Sequence, residues 1–254
     1  MKWLRFRLDD RHGFGRLDGD HVQVHDGDLF TTPRPTGERL PLAGLTWLTP
    51  CAPGKMIGLW NNFAALAEKN GWARPAEPLY FLKAPSSFAA HGQAIAPPAG
   101  DVGRIAYEGE LAIVIGRTAR AVSPADAPAH IFGYTCANDV TAMELIARDP
   151  SFPQWARAKS FDGFGVFGPL IETDFDYAQA TLRTRVGGRE RQNYPLSDMC
   201  FGPAELVSRL SHDMTLEPGD VILCGTSLGV MPMKPGSLVE VEIDGIGVLA
   251  NPYG

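Results

Sequence analysis

Tyr107-Glu108-Gly109-Glu110-Leu111-Ala112-Ile113-Val114-Ile115-Gly116 is the stretch on which a reading of this chain turns. From Leu111 to Ile115 every residue is apolar. A strand half-exposed to water would alternate, so this one is expected to be buried on both faces. Residues i and i+2 of a strand point the same way, and Glu108 and Glu110 therefore project together. The same chain carries a second Glu-x-Glu as a control, in Val239-Glu240-Val241-Glu242-Ile243. There the alternation is clean, as expected for a strand with one solvated face. Two carboxylates entering a doubly buried strand need a partner, because an unpaired buried charge costs several kcal/mol or more. A hard cation such as Mg²⁺, which prefers carboxylate and water oxygens, is a suitable one. Two solvated glutamates at a strand end is the other reading, and this segment alone leaves both open.

Outward from that strand, apolar runs of strand length recur at 56–60, 79–82, 131–136, 221–224 and 239–243. Helix-like pieces are few: one over 63–70, ended by Gly71, and another beginning near Pro203 and running through Leu206, Val207 and Leu210. With 28 Gly and 21 Pro as punctuation, the chain reads as a β-rich α+β fold. At the N-terminus, residues 2–8 alternate like a half-buried strand, and Asp18-Gly19-Asp20 signals a hairpin. Thr32-Pro33-Arg34-Pro35-Thr36-Gly37 breaks the strand pattern. Residues 1–50 are read as a small N-terminal β-rich lobe and 51–254 as the main domain, with the junction at Pro50 to Gly54.

Composition excludes several classes of function. The 254 residues are 44% hydrophobic and 20% charged, the ordinary balance of a globular protein. No run approaches the roughly 20 apolar residues of a membrane span. Charges interrupt Lys2 to Asp10, unlike the apolar core of a secretory signal, and a cytoplasmic location is expected. Cys51, Cys136, Cys200 and Cys224 form no Cys-x-x-Cys pair, which argues against a zinc knuckle or a thioredoxin-like site. A formal charge of −6 without any basic run argues against nucleic acid as a partner. An anionic substrate would then depend on a few lysines or on a bound cation.

Three further residues are candidates for chemistry. Asp139 stands where the apolar run Phe132 to Ala137 meets a turn, a place where a strand can hold a metal ligand still. Asn138-Asp139 is equally an ordinary turn or helix cap. Lys83 follows Tyr80-Phe81-Leu82, and Lys159 lies in Ala158-Lys159-Ser160-Phe161-Asp162. A lysine at the end of an apolar strand commonly snorkels to the surface. Beside three carboxylates and a metal it would instead bind a substrate carboxylate or an enolate.

Taken in order, these segments resemble the fumarylacetoacetate hydrolase family. The matching pieces include Leu79 to Ser87, Tyr107 to Gly116, Gly133-Tyr134-Thr135 with Asn138-Asp139-Val140-Thr141, Lys159 to Asp162, Gly168-Pro169, Met214 to Ile222, Gly225-Thr226-Ser227 and Ile243 to Gly247. The resemblance spans about residues 51–252. It implies a mixed β-roll core of the family's C-terminal type, a homodimer, and Mg²⁺ or Mn²⁺ held by Glu108, Glu110 and Asp139. It also implies a small 2-oxo acid substrate that chelates the metal, which stabilises an enolate when a C–C bond breaks or a proton leaves. Lys159 would then lie near the enolate, while Lys83, Gln192 and Thr226 would bind the substrate.

The chain departs from the family at two places. Hydrolytic members carry a water-activating histidine on the short helix after a Gly-Leu/Arg-Asn-Tyr-like segment. Here Gly58-Leu59-Trp60-Asn61-Asn62-Phe63-Ala64 puts an alanine there. Glu68, at i+4 from Ala64, is the candidate replacement base. Where many relatives have Ala-Arg-Asp, this chain has Ala142-Met143-Glu144 and so lacks an arginine. Hydrolytic C–C cleavage of an acylpyruvate-like acid is the default that the resemblance implies. The alternatives are a decarboxylase or isomerase of an oxo-dioic acid, and a catalytically silent metal-binding homologue. Without the histidine, decarboxylation or tautomerisation is expected to survive better than hydrolysis. His91, in Ala90-His91-Gly92, reads as a surface residue rather than a replacement base.

Overall fold

A computed structural model describes residues 1–254. The first fifty residues supply β1 (Lys2–Leu8), β2 (Arg11–Asp18), β3 (His21–Asp26), β4 (Arg34–Pro41) and β5 (Thr46–Trp47). The hairpin expected at Asp18-Gly19-Asp20 is present, with Asp18 opposite His21. One expectation fails here: the proline-containing 32–37 stretch does not end the pattern, because β4 begins at Arg34. That strand is at the edge of the sheet, where a proline without an N–H costs no ladder bond on its free side.

The rest of the chain adds β6 (Met56–Trp60), helix α1 (Ala64–Asn70), β7 (Leu79–Lys83), β8 (Phe88–Ala89), β9 (Ile105–Ala106) and β10 (Gly109–Ile115). After β11 (Ile131–Asp139) and β12 (Thr141–Ala142) come two short helices, α2 (Met143–Ile146) and α3 (Trp155–Lys159). The remainder is β13 (Gly165–Glu172), β14 (Thr181–Val186), β15 (Arg189–Pro195), α4 (Pro203–Asp213), β16 (Val221–Leu223), β17 (Ser237–Ile243) and β18 (Gly247–Tyr253). No helix is long and apolar enough to cross a membrane.

The fold is the expected β-rich α+β type. Its main sheet runs β4-β3-β2-β1-β13-β11-β10-β16-β6-β7, with β5 on β1 and β8 on β13. It is mixed, since β6 pairs β16 in parallel and β8 pairs β13 in parallel among otherwise antiparallel neighbours. A separate antiparallel sheet, β15-β14-β17-β18, packs against it. The first fifty residues share the main sheet, because β1 pairs β13 through Lys2 with Glu172 and Trp3 with Ile171.

Strand β10 is buried at every position. Leu111, Ile113 and Ile115 join Leu182, Val241, Ile243 and Leu206 in one apolar cluster. Ala112 and Val114 face the other way, into a second cluster with Trp3, Met56, Phe167 and Val221. Large apolar side chains buried this way contribute about 1.5–3 kcal/mol each. They hold the N-terminal end of β10 firmly, and that end carries the two glutamates.

The sheet is also rolled. Asp139 on β11 and Lys83 on β7 are four strand positions apart, which on a flat sheet is about 19 Å at the usual spacing. Their side chains nevertheless form a buried ion pair. The chain leaves β7, makes a single 3-10 turn at Pro85–Ser87, and enters β8 beside β13, which draws the β7 edge across.

Candidate metal centre and active-site cavity

Antiparallel pairing of β10 with β11 sets Gly109 opposite Asn138 and Glu110 opposite Ala137. The start of one strand thus meets the end of the other, and Glu108, Glu110 and Asp139 come together with one oxygen each inside a 4.8 Å span. Glu110 is wholly buried. Its Oε2 accepts the Gly225 N–H at 2.6 Å, while its Oε1 has no partner. Glu108 accepts from the Thr141 hydroxyl at 2.6 Å and from the Lys159 ammonium at 2.9 Å. Asp139 accepts from Lys159 at 2.5 Å on one oxygen and from Lys83 on the other.

The residue between the glutamates has to be glycine. A Cβ on Gly109 would lie 2.1 Å from Thr184 Oγ1 and 3.1 Å from Gln192 Oε1. Its N–H donates to Gln192 Oε1 at 3.0 Å, and its carbonyl accepts from Tyr194 at 2.6 Å and Thr226 at 2.9 Å. The peptide carrying both carboxylates is therefore pinned. Gly225, at φ 90°, lets the backbone after β16 turn its N–H toward Glu110.

Three carboxylates against two ammonium groups leave one formal negative charge. Burial, reinforced by the charges of Asp139 and Glu108, raises the Glu110 carboxyl well above its ordinary range. Burial also works to raise Asp139, but Lys159 and Lys83 outweigh it and hold that carboxyl below its usual value. For Lys159 burial works to lower the ammonium; Asp139, Glu108 and Glu110 outweigh it and raise it. Lys83 ends below the ordinary lysine value, because burial is the larger effect there. An all-oxygen donor set with one buried, unpartnered carboxylate oxygen fits a hard divalent cation. The lysine contacts do not block it, since each carboxylate oxygen offers more than one lone pair.

A cavity of about 360 Å³ opens beside this cluster, with Glu108, Thr141, Lys159 and Thr226 on its polar side. A larger groove of about 720 Å³, lined by Arg5, Arg7, Trp47 and His91 among others, shares no residue with it.

The sequence-predicted residues separate into groups. Glu108, Glu110, Asp139 and Lys159 are brought together, and Thr226 reaches the cavity wall. Lys83 is buried beneath Asp139 rather than presented to the cavity. Gln192 is also buried, and its amide is used up by Gly109, Thr226 and the carbonyls of Ser227 and Leu228. Both therefore brace the site instead of lining it. Glu68 is not brought to the site. Ala64 and Glu68 do share a face of α1, as their i, i+4 spacing requires, but that face is exposed. The helix turns Leu66 and Asn70 to the cavity instead. Glu144 is taken up by Arg104. His91 is half-buried, edge-on to Trp47, with Nδ1 accepting the Ala250 N–H at 3.1 Å.

Thr141 and Gly225 stand in the family-like motifs but were given no role from sequence, and the aromatic side of the cavity was missed. Thr141 could have been found, since it lies two residues beyond Asp139 in an extended segment and so on the same side. The contact of Gly225 with Glu110 and the gathering of the aromatic residues give no local signal.

Comparison with known proteins agrees with this geometry. Residues 55–253 match the family described as fumarylacetoacetate (FAA) hydrolase C-terminal, and residues 1–50 match one described as Rv2993c-like, N-terminal. The Mycobacterium tuberculosis protein Rv2993c is 41% identical over 99% of this chain and 97% of its own. A 4-hydroxyphenylacetate degradation bifunctional isomerase/decarboxylase of Salmonella dublin is 40% identical over 79% of this chain and 47% of that protein. The crystal structure of 2-hydroxyhepta-2,4-diene-1,7-dioate isomerase from Mycobacterium marinum superposes with a TM-score of 0.91 at 36% identity, covering 100% of this chain and 98% of that one.

Proposed function

This chain belongs to the fumarylacetoacetate hydrolase family, and on that footing we propose that it is a Mg²⁺- or Mn²⁺-dependent enzyme that moves a proton at the carbon next to the keto group of a 2-oxo acid, as an isomerase or decarboxylase. The observation that carries the reading is the position of Lys159. It is the one ammonium that lines the cavity, and it touches two of the three clustered carboxylates. The names of the Salmonella dublin and Mycobacterium marinum relatives, an isomerase/decarboxylase and an isomerase, support the same class.

Glu108, Glu110 and Asp139 are the residues that would hold the cation. Bound there, a hard divalent ion would supply a Lewis acid for the keto oxygen and would offset the carboxylate charge that raises the Lys159 ammonium. As the neutral amine, Lys159 Nζ would take a proton from carbon 3 of the substrate, and as the resulting ammonium it would return one there. Lys83 keeps Asp139 in place from below, Thr141 does the same for Glu108, and Thr226 orients the substrate from the wall.

Hydrolytic cleavage asks for more. A base that deprotonates water contributes about 10²–10⁴-fold. No histidine lines the cavity, and its one lining carboxylate, Glu108, is engaged by Thr141 and Lys159. Proton transfer makes no such demand. The test is exchange of the C3 hydrogens of 2-oxobutanoate in D₂O, followed by NMR beside hydrolysis of acetopyruvate. With Mg²⁺, exchange should exceed hydrolysis at least tenfold and disappear with a chelator or in Lys159→Met. Hydrolysis at about 1 s⁻¹ or more without exchange would overturn the reading. No turnover of either compound would leave a silent binding homologue.

A further inference from the structure

One wall of the cavity is a line of aromatic rings. It begins at Lys159, whose Nζ sits 5.0 Å from the Phe81 ring centroid. Phe81 stacks on Trp155 at 5.7 Å and 15°. Trp155 meets Trp60 edge-on at 6.0 Å, and Trp60 meets Trp72 at 5.0 Å. All four rings line the same cavity. Exposure rises along the line, from 8% at Phe81 to 41% at Trp72. Trp155 and Lys159 are i and i+4 on α3, so one turn of helix sets both the ring and the ammonium.

The wall is also poor in positive charge. Lys159 is the only cationic side chain lining the cavity, and Glu108 and Asp139 already pair with it. No arginine lines it. Asn61 does, and its Nδ2 is committed to the Ala73 carbonyl at 3.0 Å, which leaves a buried, unpartnered Oδ1. A free carbonyl acceptor offers nothing to a carboxylate. A carboxylate tail laid along these rings would meet no cation to pair with, whereas an aryl or alkyl tail would bury apolar surface and stack.

Resting on the proposed 2-oxo acid chemistry, we infer that the substrate's tail is uncharged and apolar, with an aryl group the best fit, and that a second, distal carboxylate is rejected. The chain would then differ from the Mycobacterium marinum relative, whose name specifies a dioate. Phe81, Trp155, Trp60 and Trp72 are the specificity-determining residues.

Calorimetric binding in the presence of Mg²⁺ tests this without requiring turnover, using 2-oxo-4-phenylbutanoate, 2-oxohexanoate and 2-oxoadipate. The phenyl compound should bind at least tenfold more tightly than 2-oxoadipate, with 2-oxohexanoate between them. Trp155→Ala should shrink that preference to within about threefold, and Trp155→Phe should retain most of it. Because Trp155→Ala removes packing from a short helix, Val230→Arg serves as a second variant. Val230 is half-buried and lines the cavity, so an arginine there should tighten 2-oxoadipate at least tenfold. Equal or tighter binding of 2-oxoadipate by the unmodified protein overturns the inference, and continued C3 exchange of 2-oxobutanoate would then leave the reaction assignment standing. An aryl preference without any exchange upholds the inference and removes the reaction assignment. Failure of all three acids to bind removes both.

Discussion

Glu108-Gly109-Glu110 and Glu240-Val241-Glu242 have the same spacing, and each lies on or at the start of a strand. Their surroundings are opposite. Strand β17 buries Val239, Val241 and Ile243 and turns its glutamates outward, where Glu242 pairs with Arg185 at 2.6 Å and is 29% exposed. Strand β10 has no outward face. Glu110 is fully buried, with one oxygen unpartnered and two other carboxylates close by. The spacing of acidic residues therefore carries little information about a metal centre. Information lies in whether the strand has a solvated face to which those residues can turn, because only a buried carboxylate requires a compensating charge.

The largest expected difference between the two pairs concerns their cationic partners. Lys159→Met should lower kcat for a 2-oxo acid by about 10²–10⁴-fold, with KM changed much less, because its interaction strengthens at the transition state. Arg185→Met, beside Glu242, should stay within about twofold of the unmodified enzyme. Equal losses in steady-state assays of the two variants would mean that Lys159 has no special role.

Metal affinity should separate the glutamates themselves. Residues that merely support a metal ligand are worth about 10–100-fold in affinity, so removing a ligand charge by Glu110→Gln should cost roughly 100-fold or more. Glu242→Gln should leave Mg²⁺ binding unchanged. Calorimetric titration of both variants checks this, and equal affinities would dissolve the proposed centre.

A smaller effect is expected at the middle residues. Gly109→Ala forces a Cβ against Thr184 and Gln192, and overpacking of this kind costs about 1–3 kcal/mol. It should also weaken Mg²⁺ binding, since the pinned peptide carries both glutamates. Val241→Ala should lower stability by lost packing alone, with metal affinity intact. Urea denaturation paired with Mg²⁺ titration distinguishes the two.

The smallest expected effect is a pH slope. The folded-state carboxyl of Glu110 titrates above its unfolded value, so in metal-free protein the folded state keeps a proton that the unfolded chain has released. That contribution to stability is complete below the ordinary glutamate value and is lost as pH rises through the raised one. Asp139 acts in the opposite sense, its contribution being lost as pH falls below the ordinary aspartate range. With a chelator present, Tm should therefore decline by a few degrees on raising pH above the usual carboxylate range. Mg²⁺ should reverse the decline by favouring the ionised form. Glu110→Gln should abolish the slope and Glu242→Gln should keep it, as read by scanning calorimetry over a pH series.

The contrast also shows what residue patterns alone can specify. The unbroken apolar run after Glu110 was enough to place β10 in the interior, and the clean alternation around Glu240 was enough to place β17 at a surface. Both follow from strand periodicity, a local property of the chain. The order of motifs likewise identified the family, the three clustered carboxylates and Lys159. Helix α1 marks the limit of this reading. Its spacing correctly put Ala64 and Glu68 on one face, but that face is turned to water.

The amino-acid sequence by itself thus determined which strand is buried and that the fold is β-rich, while the burial of Glu110 was settled by the structure. Tertiary structure alone decided that Lys83 lies beneath Asp139, that Gly225 caps Glu110, that Gln192 braces Gly109, and that four rings from separate segments form one wall. The physical reason is range. Burial of a face is encoded within a few residues, whereas the rolling of the sheet, which brings β7 onto the end of β11, depends on packing among segments more than fifty residues apart.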